Sequence, residues 1–224
     1  MKQKRILIFG GSGGLGSKIT EKFKKERFEY VDKFYIESLS SKVCDVIKHE
    51  NYIVEFIKEY KPDVIINMVV RNRDGLLHKQ GLIDITTQID ATIFGTLNIL
   101  RYAIPYFREK NKGKIILCSS YLADNPVAGT GIYSGCKAFT DSIVKTVALE
   151  NVKYNITCNS IRMGYFDGGL TYKIPEKFFN TLKESIPMKR FGTIDELYLA
   201  MKFLIENDYV TGTNLVIDGG MSLV

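Results

Sequence analysis

The chain has 224 residues, 45% of them hydrophobic, enough to bury one sizeable core and too few for two. Its formal charge of +6 is spread over stretches such as Glu21-Lys22-Phe23-Lys24-Lys25-Glu26-Arg27, the pattern of a solvated helix face, without the module of a nucleic-acid binder. No apolar run approaches the ~18 residues of a membrane helix, and four cysteines and two histidines show neither a CxxC pair nor metal-ligand spacing, so a cytoplasmic protein without membrane span, disulfide framework, zinc site or nucleic-acid partner is expected.

Short β-rich runs alternate with helical stretches along the chain. Residues 5–9 read as a strand and a helix begins at about Leu15. Strands follow at 28–31 and 43–44, then a helix over 50–59. Next come a strand at 63–67, a long helix over 83–108, a strand at 114–119, a helix over 133–150 and a strand at 155–161. A last helix over 194–205 leads to a strand at 214–218. About seven strands separated by helices demand crossover connections, which place helices on both faces of a parallel sheet. The expected fold is therefore a single-domain, doubly wound α/β sheet of Rossmann type. The runs Ile6-Leu7-Ile8-Phe9 and Val64-Ile65-Ile66 suit strands covered on both faces. Two irregular stretches, 70–82 and 164–187, follow strand ends, where ligands bind in such sheets.

The first strand runs into Gly10-Gly11-Ser12-Gly13-Gly14-Leu15-Gly16 and then directly into a helix. Gly10 permits a tight turn, Gly14 lets backbone approach a pyrophosphate, and Gly16 allows the helix to pack closely on the strand. The backbone of Gly10, Ser12, Gly13, Gly14 and Leu15 would then meet the phosphates with the open N–H groups of the helix start. A Walker A loop is excluded, because no Lys-Ser/Thr pair follows the last glycine. Asp32, placed near the end of the second strand, is either an acceptor for ribose hydroxyls, which favours NAD over NADP, or part of a surface turn. Asp45 is either an acceptor for an adenine amino group or a turn-capping residue.

Tyr133-Ser134-Gly135-Cys136-Lys137 sets a phenol and an ammonium one helical turn apart on one face. A cation beside a tyrosine lowers the phenol pKa toward working pH and suits it to acid–base chemistry. Ser120 closes the preceding strand thirteen residues earlier, so three side chains converge at the carboxyl edge of the sheet.

Here the sequence resembles the short-chain dehydrogenase/reductase family over nearly its whole length. The matching pieces are Gly10, Gly14 and Gly16; Cys44-Asp45-Val46; Asp63-Val64-Ile65-Ile66-Asn67; Gly95-Thr96-Leu97-Asn98; Ser120; Tyr133 with Lys137; Arg190-Phe191-Gly192-Thr193; and Val216-Ile217-Asp218-Gly219-Gly220. The resemblance implies NAD(P)(H) as cofactor and a small-molecule carbonyl or alcohol as substrate. It makes Tyr133 the acid/base, gives Lys137 the tuning of Tyr133 and the nicotinamide ribose, and has Ser120 orient the substrate oxygen. It further implies that Asp45 and Val46 flank the adenine, that Asn67 and the backbone after it line the cofactor, that Gly164 and Phe166 lie along the nicotinamide, and that the protein is a homodimer or homotetramer.

Several positions depart from the family pattern. In the stretch Asn67-Met68-Val69-Val70 a β-branched residue replaces the usual cofactor-facing glycine, Thr92 stands where a relay asparagine is usual, and Gly168 where a threonine often meets the nicotinamide amide. These departures leave a second reading, a cofactor-binding regulatory or scaffold protein with lost or weak turnover. A nucleotide-sugar epimerase would need a longer chain.

Overall fold

The computed structural model describes residues 4–29, 34–39 and 50–224, with side chains described for 4–25 and 52–224. Six strands, β1 (Lys4–Phe9), β2 (Phe34–Leu39), β3 (Val64–Asn67), β4 (Gly113–Ser120), β5 (Ile156–Met163) and β6 (Asn214–Ile217), form one parallel sheet in the order β2-β1-β3-β4-β5-β6 among the described residues. The strand expected at 43–44 lies outside the described residues.

Alternate residues of each strand feed opposite cores, as a period-2 pleat requires. Leu7, Phe9, Ile65, Ile115 and Leu117 pack with α2 (Glu50–Tyr60), α4 (Gly95–Lys110) and α5 (Gly131–Asn151). Ile6, Ile8, Val64, Ile66 and Ile116 face the other way, onto α1 (Gly14–Glu29) and α7 (Ile194–Glu206). Both faces are covered, which is why Ile6-Leu7-Ile8-Phe9 and Val64-Ile65-Ile66 read as unbroken apolar runs. α7 is fixed at both ends. Thr193 and Glu196 form a capping box at its start. At its end the buried Lys114 donates to the Asn207 carbonyl at 2.8 Å and Lys4 to the Ile205 carbonyl at 2.7 Å.

Two expectations need correction. The second strand is not at 28–31: α1 continues through Glu29 and β2 spans Phe34–Leu39. Ile19 and Phe23, both fully buried, set an i, i+4 register that carries the helix onward, and Phe34-Tyr35-Ile36 is the stronger β-forming run. Asp32 therefore precedes the second strand in the chain rather than closing it. The helix expected over 83–108 is three segments in series: α3 (Leu82–Ile89), a π-helical turn at Asp90–Phe94, and α4. In the irregular stretch 164–187, one short helix, α6 (Phe179–Ser185), follows two 3₁₀ turns.

Candidate active site

Strand order reverses between β1 and β3, and the crevice this opens at the carboxyl edge is where doubly wound sheets bind ligands. A cavity of about 530 Å³ lies there, well within the range of small-molecule sites. Gly10, Ser12, Gly13, Gly14 and Leu15 line one side, Ser120, Tyr133 and Lys137 another, and Gly164 and Phe166 enter from the end of β5.

The glycine turn is built by close backbone approaches. Gly10 has φ +80, and a Cβ on it would lie 2.8 Å from the Met68 carbonyl carbon. A Cβ on Gly16 would lie 2.2 Å from the Gly10 carbonyl oxygen, so α1 leaves β1 only because residue 16 is bare. Gly14 meets an unexpected neighbour: a Cβ there would sit 2.9 Å from Gly169 Cα, in the loop after β5. That loop is tied to α1 by Lys18, which donates to the Asp167 carbonyl at 2.8 Å and lies 5.0 Å from the Tyr172 ring centre. The turn fits a pyrophosphate. The first N–H groups of α1 have no partner within the helix, and its first turn carries no acidic residue to compete for them.

Asn67 does not line the cavity. Its amide donates to Thr96 Oγ1 at 2.9 Å and its carbonyl accepts the Val69 N–H at 3.0 Å, so it braces β3 against α4. The backbone after it, Met68 to Arg71, does line the cavity. Thr92 is buried in the π-helical turn, where its carbonyl accepts the Thr96 hydroxyl at 2.6 Å. Gly168 has φ +145, which a threonine would adopt only under strain. Asp32, Asp45 and Val46 lie outside the described residues.

The three candidate catalytic side chains meet across β4 and α5. The buried Lys137 donates from Nζ to the Cys118 carbonyl at 2.7 Å, and the Ser119 hydroxyl donates to the Lys137 carbonyl at 3.3 Å. Ser120 Oγ accepts the Leu122 N–H at 3.2 Å, which aims the hydroxyl at the cavity edge. Lys137 Nζ lies 5.6 Å from the Tyr133 ring centre. The expected lowering of the phenol pKa is not realised. Burial pushes Tyr133 up to about 12, the Ser120 hydroxyl pulls the other way, and Asp74 adds to the rise. The ammonium donates to the Cys118 carbonyl while it approaches the face of the phenol ring.

The sequence marked 70–82 and 164–187 as ligand-contacting loops without singling out all of the residues involved. Arg71, Asp74 and Lys173 line the cavity, as do Tyr121 and Tyr165, whose hydroxyls are 3.3 Å apart. Aperiodic loops give no spacing from which such residues could be picked. Among the described residues no group of three or more His, Cys, Asp or Glu side chains is placed to hold a metal, and no helix is long and apolar enough to cross a membrane.

Fold and site together define an oxidoreductase of the doubly wound, nucleotide-binding class. A family profile described as enoyl-(acyl carrier protein) reductase matches residues 17–222, and the chain belongs to the short-chain dehydrogenase/reductase family, whose members are NAD(P)-dependent oxidoreductases. It is 27% identical over 236 residues to carbonyl reductase family member 4 of Xenopus tropicalis, covering 98% of each chain. It is 28% identical over 242 residues to the 3-oxoacyl-[acyl-carrier-protein] reductase FabG of Thermotoga maritima, covering 99% of this chain and 98% of that one. A small-chain dehydrogenase solved in complex with NADPH superposes with a TM-score of 0.86 at 20% identity, over 100% of both chains.

Proposed function

We propose that the protein reduces a carbonyl group of a small-molecule substrate to the alcohol, with NADPH as hydride donor and Tyr133 as proton donor. The observation that carries this reading is the opening of Ser120, Tyr133 and Lys137 into the same cavity as the glycine turn. The turn from Gly10 to Leu15 would hold the pyrophosphate, with Gly164 and Phe166 at the nicotinamide end. When bound, the nicotinamide supplies a hydride to the substrate carbon. Ser120 donates a hydrogen bond to the substrate oxygen and orients it. The Tyr133 phenol passes its proton to that oxygen as negative charge develops, and the Lys137 ammonium stabilises the phenolate left behind. Reductase names among the relatives support the direction. No observation favours a non-catalytic scaffold. Self-association into a homodimer or homotetramer belongs to the same reading, supported by exposed Phe94 in the π-helical turn before α4 and Leu199 and Phe203 on α7.

A phenol held protonated up to about 12 is already in the form that reduction uses. Reduction of a ketone panel by NADPH is therefore expected to show no Tyr133-dependent fall between about pH 6 and 9, while the reverse oxidation, which needs the phenolate, climbs about tenfold per pH unit. Initial rates in both directions read this. A reduction rate that falls through a midpoint near neutrality, absent in Tyr133→Phe, would contradict it.

Where β2 ends, with the sequence that follows it, supports a preference for NADPH. NAD over NADP rested on Asp32 at the end of the second strand, but Leu39 ends it, and Ser40, Ser41 and Lys42 come next in the sequence. Hydroxyls and a cation suit a 2′-phosphate. The solved neighbour with NADPH supports the same choice. Titration of nicotinamide fluorescence is expected to give NADPH a Kd at least about tenfold below that of NADH, the worth of one charge-assisted hydrogen bond. Tighter binding of NADH would return the preference to NAD.

A further inference from the structure

Lys137 is 3% exposed and donates to one protein acceptor, the Cys118 carbonyl. Burial works against its charge. The titratable groups facing it are Cys118 on β4 and Tyr133, Cys136 and Asp141 on α5. Three of these are neutral near pH 7: burial lifts the Cys118 thiol to about 11, raises Cys136, and lifts Tyr133 to about 12. Asp141 remains. It lies one turn beyond Lys137 on the same helix face and is 4% exposed.

Its carboxylate is held from the sheet. Oδ1 accepts the Ser160 hydroxyl at 2.7 Å and Oδ2 accepts Arg162 Nε at 2.6 Å, both from β5. Arg162 also pairs through Nη1 with Asp124, in the segment that follows Ser120. Asp141, Arg162 and Asp124 thus form a chain of alternating charge that joins α5, β5 and the end of β4, with the Lys137 ammonium one helical turn from Asp141 on the same face of α5 and outside ion-pair contact with it. We propose that Asp141 is the counter-ion that keeps the active-site Lys137 charged and holds α5 in register with β5, a positioning residue with Ser160 and Arg162 as its support.

A salt bridge that only stabilised the fold would behave differently. Removing one partner of a buried pair is costly because a lone charge remains, and removing both recovers much of that loss. If Asp141 serves Lys137, the double replacement recovers stability and leaves the lysine without its counter-ion.

The turnover readout rests on the reductase reading above, so a second readout independent of it is needed. Full-length protein labelled with ¹³C at lysine Cε, with Lys137→Met for assignment, reports the protonation of Lys137 directly. In Asp141→Asn the lysine is expected to lose its proton at a lower pH than in wild type. NADPH-driven ketone reduction should lose about tenfold or more in kcat with little change in KM. Arg162→Met should lower the thermal midpoint. The double variant should regain most of that midpoint while its lysine titration and kcat stay defective. A wild-type lysine midpoint in Asp141→Asn, or recovery of kcat together with stability in the double variant, would overturn the proposal. Should Asp141→Asn not fold, the double variant carries the same NMR measurement. If the wild type reduces no ketone, the reductase reading fails while the lysine titration still decides the role of Asp141.

Discussion

Tyr133→Phe is expected to lower NADPH-dependent ketone reduction by about 10²–10⁴-fold while leaving the cofactor Kd and thermal midpoint close to wild type. The substitution removes one oxygen from a partly buried ring and leaves its packing intact. Two other phenols line the cavity, and neither is placed to substitute. The Tyr121 and Tyr165 hydroxyls are 3.3 Å apart and partner each other, and burial with that contact drives the Tyr121 pKa above the usual phenol range. Lys137 Nζ approaches the ring of Tyr133 at 5.6 Å and can stabilise the phenolate formed there. Steady-state rates beside fluorescence titration of NADPH separate the two effects. Turnover within about threefold of wild type, well short of the loss expected for a general acid, would mean that the proton comes from elsewhere, with Tyr165 the next group to replace. Ser120→Ala is a less clean test, since Ser120 Oγ also accepts the Leu122 N–H.

Much of the fold is legible because it is local. β1, β3, β4 and β6 carry short apolar runs while β5 mixes apolar and polar residues, and the observed limits of all five differ from the expected ones by at most two residues. β2 is not legible, because Phe28 and Val31 give a second β-like run beside a helix whose register is set by Ile19 and Phe23. The glycine turn and the Tyr133–Lys137 pair are visible for the same local reason, their parts lying within one turn of each other. The pKa of Tyr133 is not: spacing shows a lysine one turn away, but not that its ammonium is bound to the Cys118 carbonyl. Asn67 also shows this limit, for its side chain is consumed by Thr96 and Val69, contacts that only the packing of α4 on β3 creates. Asp141 reads as one more polar residue on a helix until β5 brings Ser160 and Arg162 against it.

Two glycine-to-alanine changes should act in opposite directions, and the first is expected to be the largest stability effect at the site. A Cβ on Gly16 would stand 2.2 Å from the Gly10 carbonyl oxygen and 3.1 Å from both the Gly10 carbonyl carbon and Gly11 Cα. These are backbone atoms of the turn itself. Gly10 itself holds φ +80 on a side where even a Cβ would meet the Met68 backbone at 2.8 Å, which leaves the turn little room to shift. Relief therefore requires α1 to move off β1, which opens the contact of Ile19 and Phe23 with Ile6 and Ile8. Gly16→Ala is expected to cost about 3 kcal/mol by overpacking, a fall in Tm of about 6–12 °C for a chain of this size. NADPH binding should be lost with it, because the same turn is the one proposed to hold the pyrophosphate. Gly135 lies between Tyr133 and Lys137 on α5, is exposed, and a Cβ on it would meet nothing within 4 Å. Gly135→Ala should raise stability by about 0.5–1 kcal/mol through helix propensity alone and leave turnover unchanged. Thermal melts of the two variants with and without NADPH check both. A Gly16→Ala protein that melts like wild type and still binds NADPH would mean that the turn relaxes without moving α1, and the glycine at 16 would then not be what seats the helix on the strand.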